Sequence, residues 1–396
     1  MLKPNGNYRN LKDSYLFFGI SKKVEAYRAA HPDLPLYRLG IGDVSRPLCD
    51  EAIRALHAAV DDQANAKTFH GYTPECGIPE FREAVAAYYA RRNVSLSPEE
   101  VFVSSGASDE LGDILDLFDA SSPALITQPA YPAYVDASVM AGRKVNFLTA
   151  GPENDFLPLP AEDTEADLIY LCSPNNPTGA VYNQEQLRAW VDFANRRGAV
   201  ILFDAAYETF IEEDLPHSIY EIPGAQTCAI EISSLSKTAG FTGTRLGYTV
   251  IPKALERDGM NLNAMWVRNR TTKTNGISYI LQKGGIAVFS DEGLRQIREN
   301  IRVYKQNARV LMEALDAAGI RYWGGKNAPY IWMACPGGMK SWDFFDLLLN
   351  EIQVIGTPGE GFGACGEGFF RLSSFGNPED TGIAAERIRK LIADRG

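Results

Sequence analysis

The most informative stretch of this chain is residues 233–247, SSLSKTAGFTGTRLG. One lysine, Lys237, stands beside Ser234 and Ser236, and Arg245 follows it eight positions later. The residues before this stretch form an apolar run that is typical of a buried strand. A lysine amine is a nucleophile for carbonyl groups, and hydroxyls with an arginine are suited to binding phosphate.

Three other apolar runs also end in segments that could take part in chemistry. GASDELGDIL follows residues 101–105 and predicts a turn that opens a helix, whose free N–H groups are suited to binding phosphate. SPNNPTGA follows a second run and contains Asn176, and DAAYETF follows a third and contains Asp204 and Tyr207. Taken singly, each segment is also typical of an ordinary turn, helix cap or solvated loop.

The elements that must position these segments alternate along the middle of the chain. Short apolar strands alternate with stretches of helical period, which predicts an α/β fold with a mostly parallel, seven-stranded sheet between helices. Ligands of such sheets bind at the carboxyl ends of the strands, where every segment above begins. The predicted strands are residues 101–105, 124–127, 144–148, 168–172, 200–203, 228–232 and 247–251, and a helix is predicted at 183–197.

The last third of the chain has a different pattern. Residues 291–318 predict a long amphipathic helix, which is followed by the short strands YIWMAC and FFRLSSF and by helical runs near 341–350 and 380–394. This pattern predicts a smaller α+β domain. The predicted division is an N-terminal arm that forms part of the small domain (1–40), a large domain (41–280) and a small C-terminal domain (281–396).

Composition argues against several classes of protein. The net charge of -11 argues against binding to nucleic acid or to an anionic membrane surface. No signal segment and no run of the roughly 20 apolar residues that span a bilayer is visible in the sequence. The six cysteines form no CxxC pair and the four histidines have no metal-ligand spacing. We therefore expect a cytoplasmic location and no metal.

The four polar segments together fit one cofactor, pyridoxal 5'-phosphate. It needs a lysine amine for its aldehyde, a carboxylate beside its pyridine nitrogen, a donor to its ring oxygen, and hydroxyls with an arginine around its phosphate. The residues that supply these groups in turn are Lys237; Asp204; Asn176 with Tyr207; and Ser234, Ser236 and Arg245. Lys237, Asp204 and Tyr207 are the predicted catalytic residues.

SLSK also matches S-x-x-K, the motif of serine acyl-enzymes. In that alternative Ser234 is the nucleophile and Lys237 its base. Neither S-D-N nor K-T-G follows in the sequence, and Asp204, Asn176 and Arg245 would have no role. The cofactor interpretation is therefore preferred.

NNPTG, DAAY, SLSK and the arginine eight residues after the lysine resemble the fold-type I aminotransferases. Longer blocks, among them RLGIGDVSRPL, TFHGYTPECG, SKTAGFTGTRLGYTV and GTPGEGFGACGEGFFRLSSFG, resemble the LL-diaminopimelate aminotransferase family over nearly the whole chain. The resemblance implies amino transfer between LL-2,6-diaminopimelate and 2-oxoglutarate, and physiologically the reverse, in lysine and cell-wall precursor synthesis. The alternatives are an aminotransferase of another amino acid, a β-lyase, or a non-catalytic binding protein.

The resemblance also implies further site residues and a homodimer with shared active sites. Tyr131 would stack on the cofactor, and Arg371 would bind the α-carboxylate of the small-molecule substrate. The other implied contacts are Ala107 and Ser108 to phosphate, Gly42, Asn275, Tyr131 and Asn176 to substrate, and Tyr15, Tyr72 and Glu75 from the partner subunit, with Tyr72 also touching the cofactor. On spacing alone, Tyr15 and Tyr72 are interpreted as core aromatics and Arg371 as a surface charge.

The chain departs from the family pattern at four positions. The family's SDGAK is SSGAS here, so Ser105 and Ser108 replace an aspartate and a lysine. Cys76 replaces a glutamine, and Ser233 replaces an arginine. These departures indicate a divergent branch of the family.

Overall fold

The computed structural model describes residues 2–11, 15–40 and 42–395. Its centre is a seven-stranded sheet whose strands we number in chain order. They are Val101–Ser104 (β1), Ala124–Gln128 (β2), Val145–Thr149 (β3), Leu168–Cys172 (β4), Val200–Asp204 (β5), Ala229–Ser234 (β6) and Gly247–Val250 (β7). Across the sheet they lie in the order β1-β7-β6-β5-β4-β2-β3.

The direction of β7 differs from that of the other six strands. It pairs antiparallel with both β1 and β6, whereas every other neighbouring pair in this sheet is parallel. Gly247, the first residue of β7, therefore lies opposite both Ser104 and Ser234, the last residues of β1 and β6. The chain just before β7 thus lies at the same edge as the carboxyl ends of the parallel strands.

Burial explains why the strands read as continuous apolar runs. Every residue of β1, β2, β4, β5, β6 and β7 is buried, because helices cover both faces of the sheet. The edge strand β3 is only partly buried. The predicted α/β fold class is confirmed, and each predicted strand overlaps an observed one.

Several of the helices are amphipathic, and several begin at a residue whose side chain caps the first turn. Before Gln184–Arg197, the side chain of Asn183 accepts from the N–H of Gln186 at 2.9 Å, and Gln186 returns the bond. Gly198 ends this helix with a φ of 70°. The α-helices are Leu16–Ala30, Asp50–Gln63, Pro79–Ala90, Ala107–Asp113, Pro132–Met140, Gln184–Arg197, Leu235–Ala239, Leu262–Lys273, Tyr279–Val288, Asp291–Ala317, Ser341–Ile352 and Pro378–Ala393.

A second sheet, of four antiparallel strands, lies in the C-terminal part. Its strands lie in the order Tyr322–Gly324, Tyr330–Ala334, Phe369–Ser373 and Thr357–Pro358. Two small pairs complete the strands. Tyr37–Arg38 pairs in parallel with Val354–Ile355, and Glu256–Arg257 pairs antiparallel with Met260–Asn261.

The buried side chains form two clusters that meet on the long helix Asp291–Ala317. Leu294 and Ile301 pack into the cluster around the seven-stranded sheet, whereas Ala308 and Leu315 pack into the cluster around the four-stranded sheet. Leu16–Ala30 contributes Leu16, Ile20, Val24 and Tyr27 to the second cluster. The division into domains at residues 40 and 280 stays a prediction. The two clusters share the helix Asp291–Ala317, which begins after residue 280.

Two features are absent from residues 2–11, 15–40 and 42–395. None of the helices there is both long enough and apolar enough to cross a membrane. Within the same ranges, no group of three or more His, Cys, Asp or Glu side chains is arranged to hold a metal ion.

Candidate active site

A cavity of about 600 Å³ opens where β1, β4, β5 and β6 end, between the two clusters of buried side chains. Twelve of the residues predicted to form the site line it. They are Gly42, Ala107, Ser108, Tyr131, Asn176, Asp204, Tyr207, Ser234, Ser236, Lys237, Arg245 and Arg371. The expectation that segments at the ends of separate strands converge therefore agrees with the geometry.

Lys237 lies on the short helix Leu235–Ala239, directly after β6. The hydroxyl of Ser234 caps this helix by accepting from the N–H of Ser236 at 3.1 Å. The Lys237 amine donates to the carbonyl of Gly42. Burial lowers the pKa of this amine to about 8, and the positive charges of Arg371 and Arg245 act in the same direction, against the opposing effect of Asp43. Near neutral pH a larger fraction of this amine than of an ordinary lysine is therefore unprotonated and nucleophilic.

Asp204 is the last residue of β5 and its side chain is buried. Its two carboxylate oxygens accept from the hydroxyl of Tyr134 at 2.6 Å and from the N–H of Ala206 at 3.0 Å. Burial raises the pKa of this carboxyl group. Among the described residues no lysine, arginine or histidine pairs with Asp204, so a cationic group in the cavity would be its natural partner.

Tyr207 contacts the buried Tyr330, and Asn176 contacts Arg371, whose guanidinium packs on the ring of the same tyrosine. The hydroxyl of Tyr207 is 3.0 Å from that of Tyr330, and burial raises the pKa of Tyr207 well above its usual value. The phenol is therefore protonated at neutral pH and can donate. The amide oxygen of Asn176 accepts from Nη1 of Arg371 at 2.6 Å, so this side chain also positions the arginine.

Arg371 lies on the central strand Phe369–Ser373 of the second sheet and is 1 % exposed. Its Nη2 donates to the carbonyl of Gly40 at 2.7 Å, and its guanidinium carbon lies 4.3 Å from the ring centre of Tyr330. Nε has no hydrogen-bond partner, and no carboxylate of the described residues pairs with the guanidinium. The interpretation of Arg371 as a surface charge is therefore wrong.

A third wall of the cavity is suited to binding a phosphate. Arg245 donates from Nη1 to the hydroxyl of Ser236 at 3.3 Å and to the carbonyl of Thr242 at 3.1 Å. Its other terminal nitrogen lies so close to Gly106 that a Cβ there would be 2.5 Å away, and the φ of Gly106 is 122°. Only glycine permits this approach of backbone and guanidinium, and Ala107 and Ser108 follow immediately.

Four predicted residues lie outside the set that lines this cavity. Tyr72 is 87 % exposed, Asn275 is also exposed, and Glu75 is partly buried. Thr73, between Tyr72 and Glu75, donates to the carbonyl of Ile277 at 2.8 Å, so these two loops lie together. The interpretation of Tyr72 as a core aromatic is wrong, because its ring lies on the surface of the chain.

Tyr15 is 39 % exposed, so it is not a core aromatic either. Burial and the neighbouring Tyr131 raise the pKa of the Tyr15 hydroxyl. The family resemblance assigned Tyr15 to the partner subunit's site, whereas in a single chain it lies beside Tyr131 of its own site. The assignment of Tyr15 to the partner subunit's site stays a prediction.

Sequence reasoning missed several residues around the cavity. Tyr134 contacts Asp204, Tyr330 contacts both Tyr207 and Arg371, and Asp43 and Arg38 line the opening. Tyr134 lies on the helix Pro132–Met140, and Tyr131 is the residue just before this helix. A separation of three residues places two side chains on the same face of a helix, so the sequence did indicate that Tyr134 lies near the site. Nothing local to Tyr330 or Arg38 indicated a site.

Comparison with known proteins decides the family. A family model described as aminotransferase class I and II matches residues 35–388. The chain belongs to this family of aminotransferases.

Individual relatives extend over almost the whole chain. An LL-diaminopimelate aminotransferase of Agathobacter rectalis is 50 % identical, and the match covers 99 % of this chain and 100 % of the relative. One of Lachnospira eligens is 48 % identical with the same coverage. The solved structure of the L,L-diaminopimelate aminotransferase from Chlamydomonas reinhardtii is 38 % identical, has a TM-score of 0.93, and covers 98 % of each chain. The predicted resemblance is confirmed.

The aminotransferases of this family use pyridoxal phosphate, and the charges around the cavity fit it. Asp204 is a buried carboxylate with no cationic partner among the described residues, and it would hold the protonated ring nitrogen. At the opposite wall, Arg245 with Ser234, Ser236, Ala107 and Ser108 would hold the phosphate. The Lys237 amine, at the end of β6, would bind the aldehyde carbon.

The chain's own residues would each perform a different part of the amino transfer. When bound, pyridoxal phosphate supplies an electron sink that allows the Cα proton of an amino acid to be removed. Lys237, with a pKa of about 8, is suited to accepting and returning that proton. Arg371, which Asn176 holds in position, would orient the amino acid by its carboxylate. The hydroxyl of Ser234 is engaged with the Ser236 N–H, and the serine acyl-enzyme alternative has no support.

Proposed function

We propose that this aminotransferase moves an amino group between LL-2,6-diaminopimelate and 2-oxoglutarate, physiologically from glutamate to tetrahydrodipicolinate. The observation that carries the proposal is the buried guanidinium of Arg371, which faces the same cavity as Lys237 without a carboxylate partner among the described residues. A buried charge of this kind is costly unless a counter-ion arrives, and the α-carboxylate of an amino acid is one.

The choice of amino acid is supported by the relatives. Proteins about half identical over their full length are named LL-diaminopimelate aminotransferases. The cavity also carries charges beyond those that the reacting end of a substrate needs. The exposed residues Arg38 and Asp43 also line it, and charges of both signs suit a substrate that bears a second carboxylate and a second ammonium group. An aminotransferase of another amino acid is the second candidate, and a β-lyase the third.

A donor panel tests this proposal directly. The purified holoenzyme is assayed with 2-oxoglutarate and LL-diaminopimelate, meso-diaminopimelate, lysine, aspartate and an aromatic amino acid, and glutamate formation is measured. We expect LL-diaminopimelate to have the highest kcat/KM. If aspartate or an aromatic donor exceeded it, the second candidate would replace the first. Pyruvate and ammonia released without an acceptor would identify a β-lyase.

Glu75 is the residue that we expect to recognise the distal ammonium of diaminopimelate. Its side chain is partly buried. Within the described part of the chain, no donor makes a hydrogen bond to its carboxylate. A charge-assisted bond contributes ~1.5–3 kcal/mol, so Glu75→Gln should lower kcat/KM for LL-diaminopimelate roughly ten- to hundredfold. Glutamate lacks the distal ammonium and should be affected much less. An equal loss for both substrates would show that Glu75 is structural.

We further propose that two copies of the chain form a homodimer with shared active sites, in the cytoplasm. Tyr72 and Phe69 are 87 % and 62 % exposed, which is unusual for two large aromatic side chains so close in sequence. Glu75 and Asn275 lie near the same loops but do not line their own chain's cavity. If a second copy inserted these loops into the neighbouring site, the two aromatic side chains would become buried. Glu75 and Asn275 would then be able to contact the substrate in that site.

Mixing two inactive variants tests the shared site. Tyr72→Phe and Lys237→Ala subunits are combined under conditions of subunit exchange, which is followed by native mass spectrometry with one subunit isotopically labelled. Each heterodimer then has one site with both lesions and one intact site, so activity should reappear in proportion to the heterodimer. Confirmed exchange without recovered activity would contradict the shared site.

A further inference from the structure

A buried ion pair lies behind the proposed phosphate wall, and the reaction described above does not use it. Glu110 is 2 % exposed, and its Oε1 lies 3.3 Å from Nη1 of Arg270. The same guanidinium contacts Asp113 at 3.0 Å, and its central carbon lies 4.1 Å from the ring centre of the buried Trp266. Arg270 is thus held on two sides, by carboxylates and by an aromatic face.

Glu110 connects both of the elements that form the phosphate wall. It lies on Ala107–Asp113, whose first two residues line the cavity. Its other carboxylate oxygen accepts from the hydroxyl of Thr249 at 2.7 Å. Thr249 is on β7, the strand that begins two residues after Arg245. One carboxylate therefore fixes the position of the Ala107–Ser108 segment relative to Arg245.

The charge of Glu110 is opposite to what a phosphate wall requires. It follows Ala107 by three residues, or about 4.5 Å along a helix axis, so an unbalanced carboxylate there would repel a dianion in the cavity. Asp109 and Asp113 add negative charge, and Arg270 is the cation that faces Glu110. Burial raises the pKa of Glu110 to about 7, against the lowering effects of Thr249 and Arg270, so its negative charge is present in full only above neutral pH.

We propose that Arg270 is a positioning residue for the cofactor phosphate: it neutralises Glu110 and thereby allows the Ala107–Ser108 segment to accept a dianion beside Arg245. The inference rests on the proposed placement of the phosphate at this wall. Arg270 does not line the cavity, so it would act on the phosphate only through Glu110.

The test measures how strongly the protein distinguishes a phosphorylated ligand from its unphosphorylated form. At pH 8.5, where Glu110 is ionised, apoenzyme is titrated with pyridoxal phosphate and, separately, with pyridoxal, and the ratio of the two dissociation constants is the readout. Arg270→Met should reduce the preference for the phosphorylated ligand about tenfold, while the affinity for pyridoxal stays the same. A general loosening of the fold would lower both affinities together and would overturn the proposal.

Glu110→Gln keeps the test decisive even if Arg270→Met fails to fold. This variant removes the negative charge and keeps the shape, so the preference for pyridoxal phosphate should be unchanged or higher. In the double variant Glu110→Gln with Arg270→Met, the preference should return to near the wild-type value. A lower preference in Glu110→Gln, or no recovery in the double variant, would contradict neutralisation.

Asp113→Asn is the matched control, because it removes a carboxylate from the same arginine at the far end of the helix. The Asp113 side chain is 49 % exposed, so we expect a change of less than about twofold. If the wild-type apoenzyme itself showed no preference for pyridoxal phosphate over pyridoxal, the placement of the phosphate would be wrong. A normal wild-type preference that Arg270→Met left unaltered would refute the role of Arg270 alone.

Discussion

Lys237→Ala is expected to abolish amino transfer, with kcat reduced by about four orders of magnitude or more. The variant loses both the nucleophilic amine and the group that moves the Cα proton, and the second role alone is typically worth 10²–10⁴-fold. Single-turnover mixing with LL-diaminopimelate measures the loss without interference from product release. Lys237→Arg, which keeps a cation at this position but not a primary amine, should be equally inactive.

The same substitution should not reduce the stability of the apoenzyme. The folded protein holds the pKa of Lys237 at about 8, below the ordinary value near 10.5, so the charged amine disfavours folding at neutral pH. This cost is present in full below pH 8 and is lost as the pH rises towards 10.5. Lys237→Ala should therefore melt at the same temperature as wild type or higher at pH 7. A lower melting temperature would show that inactivity reflects a damaged fold.

Arg371→Ala is expected to lower kcat/KM for amino acids by about 10²–10³-fold. The guanidinium is buried, its Nε has no hydrogen-bond partner and no carboxylate of the described residues pairs with it. Each charge-assisted hydrogen bond to a substrate carboxylate that is lost costs roughly 1.5–3 kcal/mol. Arg371→Lys keeps the charge but not the two-pronged geometry, so it should recover only part of the loss. Steady-state kinetics with LL-diaminopimelate and glutamate measure both effects.

Two comparisons separate carboxylate binding from structural damage in the Arg371 variants. Arg321→Ala removes an exposed arginine just before the same four-stranded sheet and should leave kcat/KM unchanged. An amine that lacks the α-carboxylate should react equally slowly with wild type and Arg371→Ala. If Arg371→Ala slowed that amine by the same factor, Arg371 would act on the fold and not on the carboxylate.

The sheet was predictable because its strands are buried on both faces and therefore stand out as apolar runs. Leu168–Cys172 was predicted to the residue, and most other ends differ by one or two positions. The reversed direction of β7 was not predictable, since its sequence is as apolar as that of its parallel neighbours. Two-residue strands such as Tyr37–Arg38 also lack any pattern, because a pair depends on a partner far along the chain.

The site was predictable wherever a functional residue directly follows a strand. Lys237, Asp204 and Asn176 were found for that reason. Arg371 lies within a strand, and a charged residue in an alternating strand usually faces water. Its burial results from the aromatic side chains of Tyr330 and Phe362, which lie 4.3 and 4.9 Å from the guanidinium. The sequence around Arg371 does not indicate that these distant aromatic side chains bury it.

The pairing of Tyr37–Arg38 with Val354–Ile355 determines when this enzyme can finish folding during its synthesis. The hydroxyl of Thr357 donates to the carbonyl of Gly40 across 317 positions of the chain. The ribosome releases the helix Leu16–Ala30 early, but the side chains that cover its apolar face come last, in the segments up to Pro378–Ala393. A nascent chain therefore exposes that face through most of translation, when chaperones and misfolding compete for it. Lys237, on the short helix after β6, can take its place before Arg371 has left the exit tunnel, so the cavity cannot be completed until the strand Phe369–Ser373 has emerged.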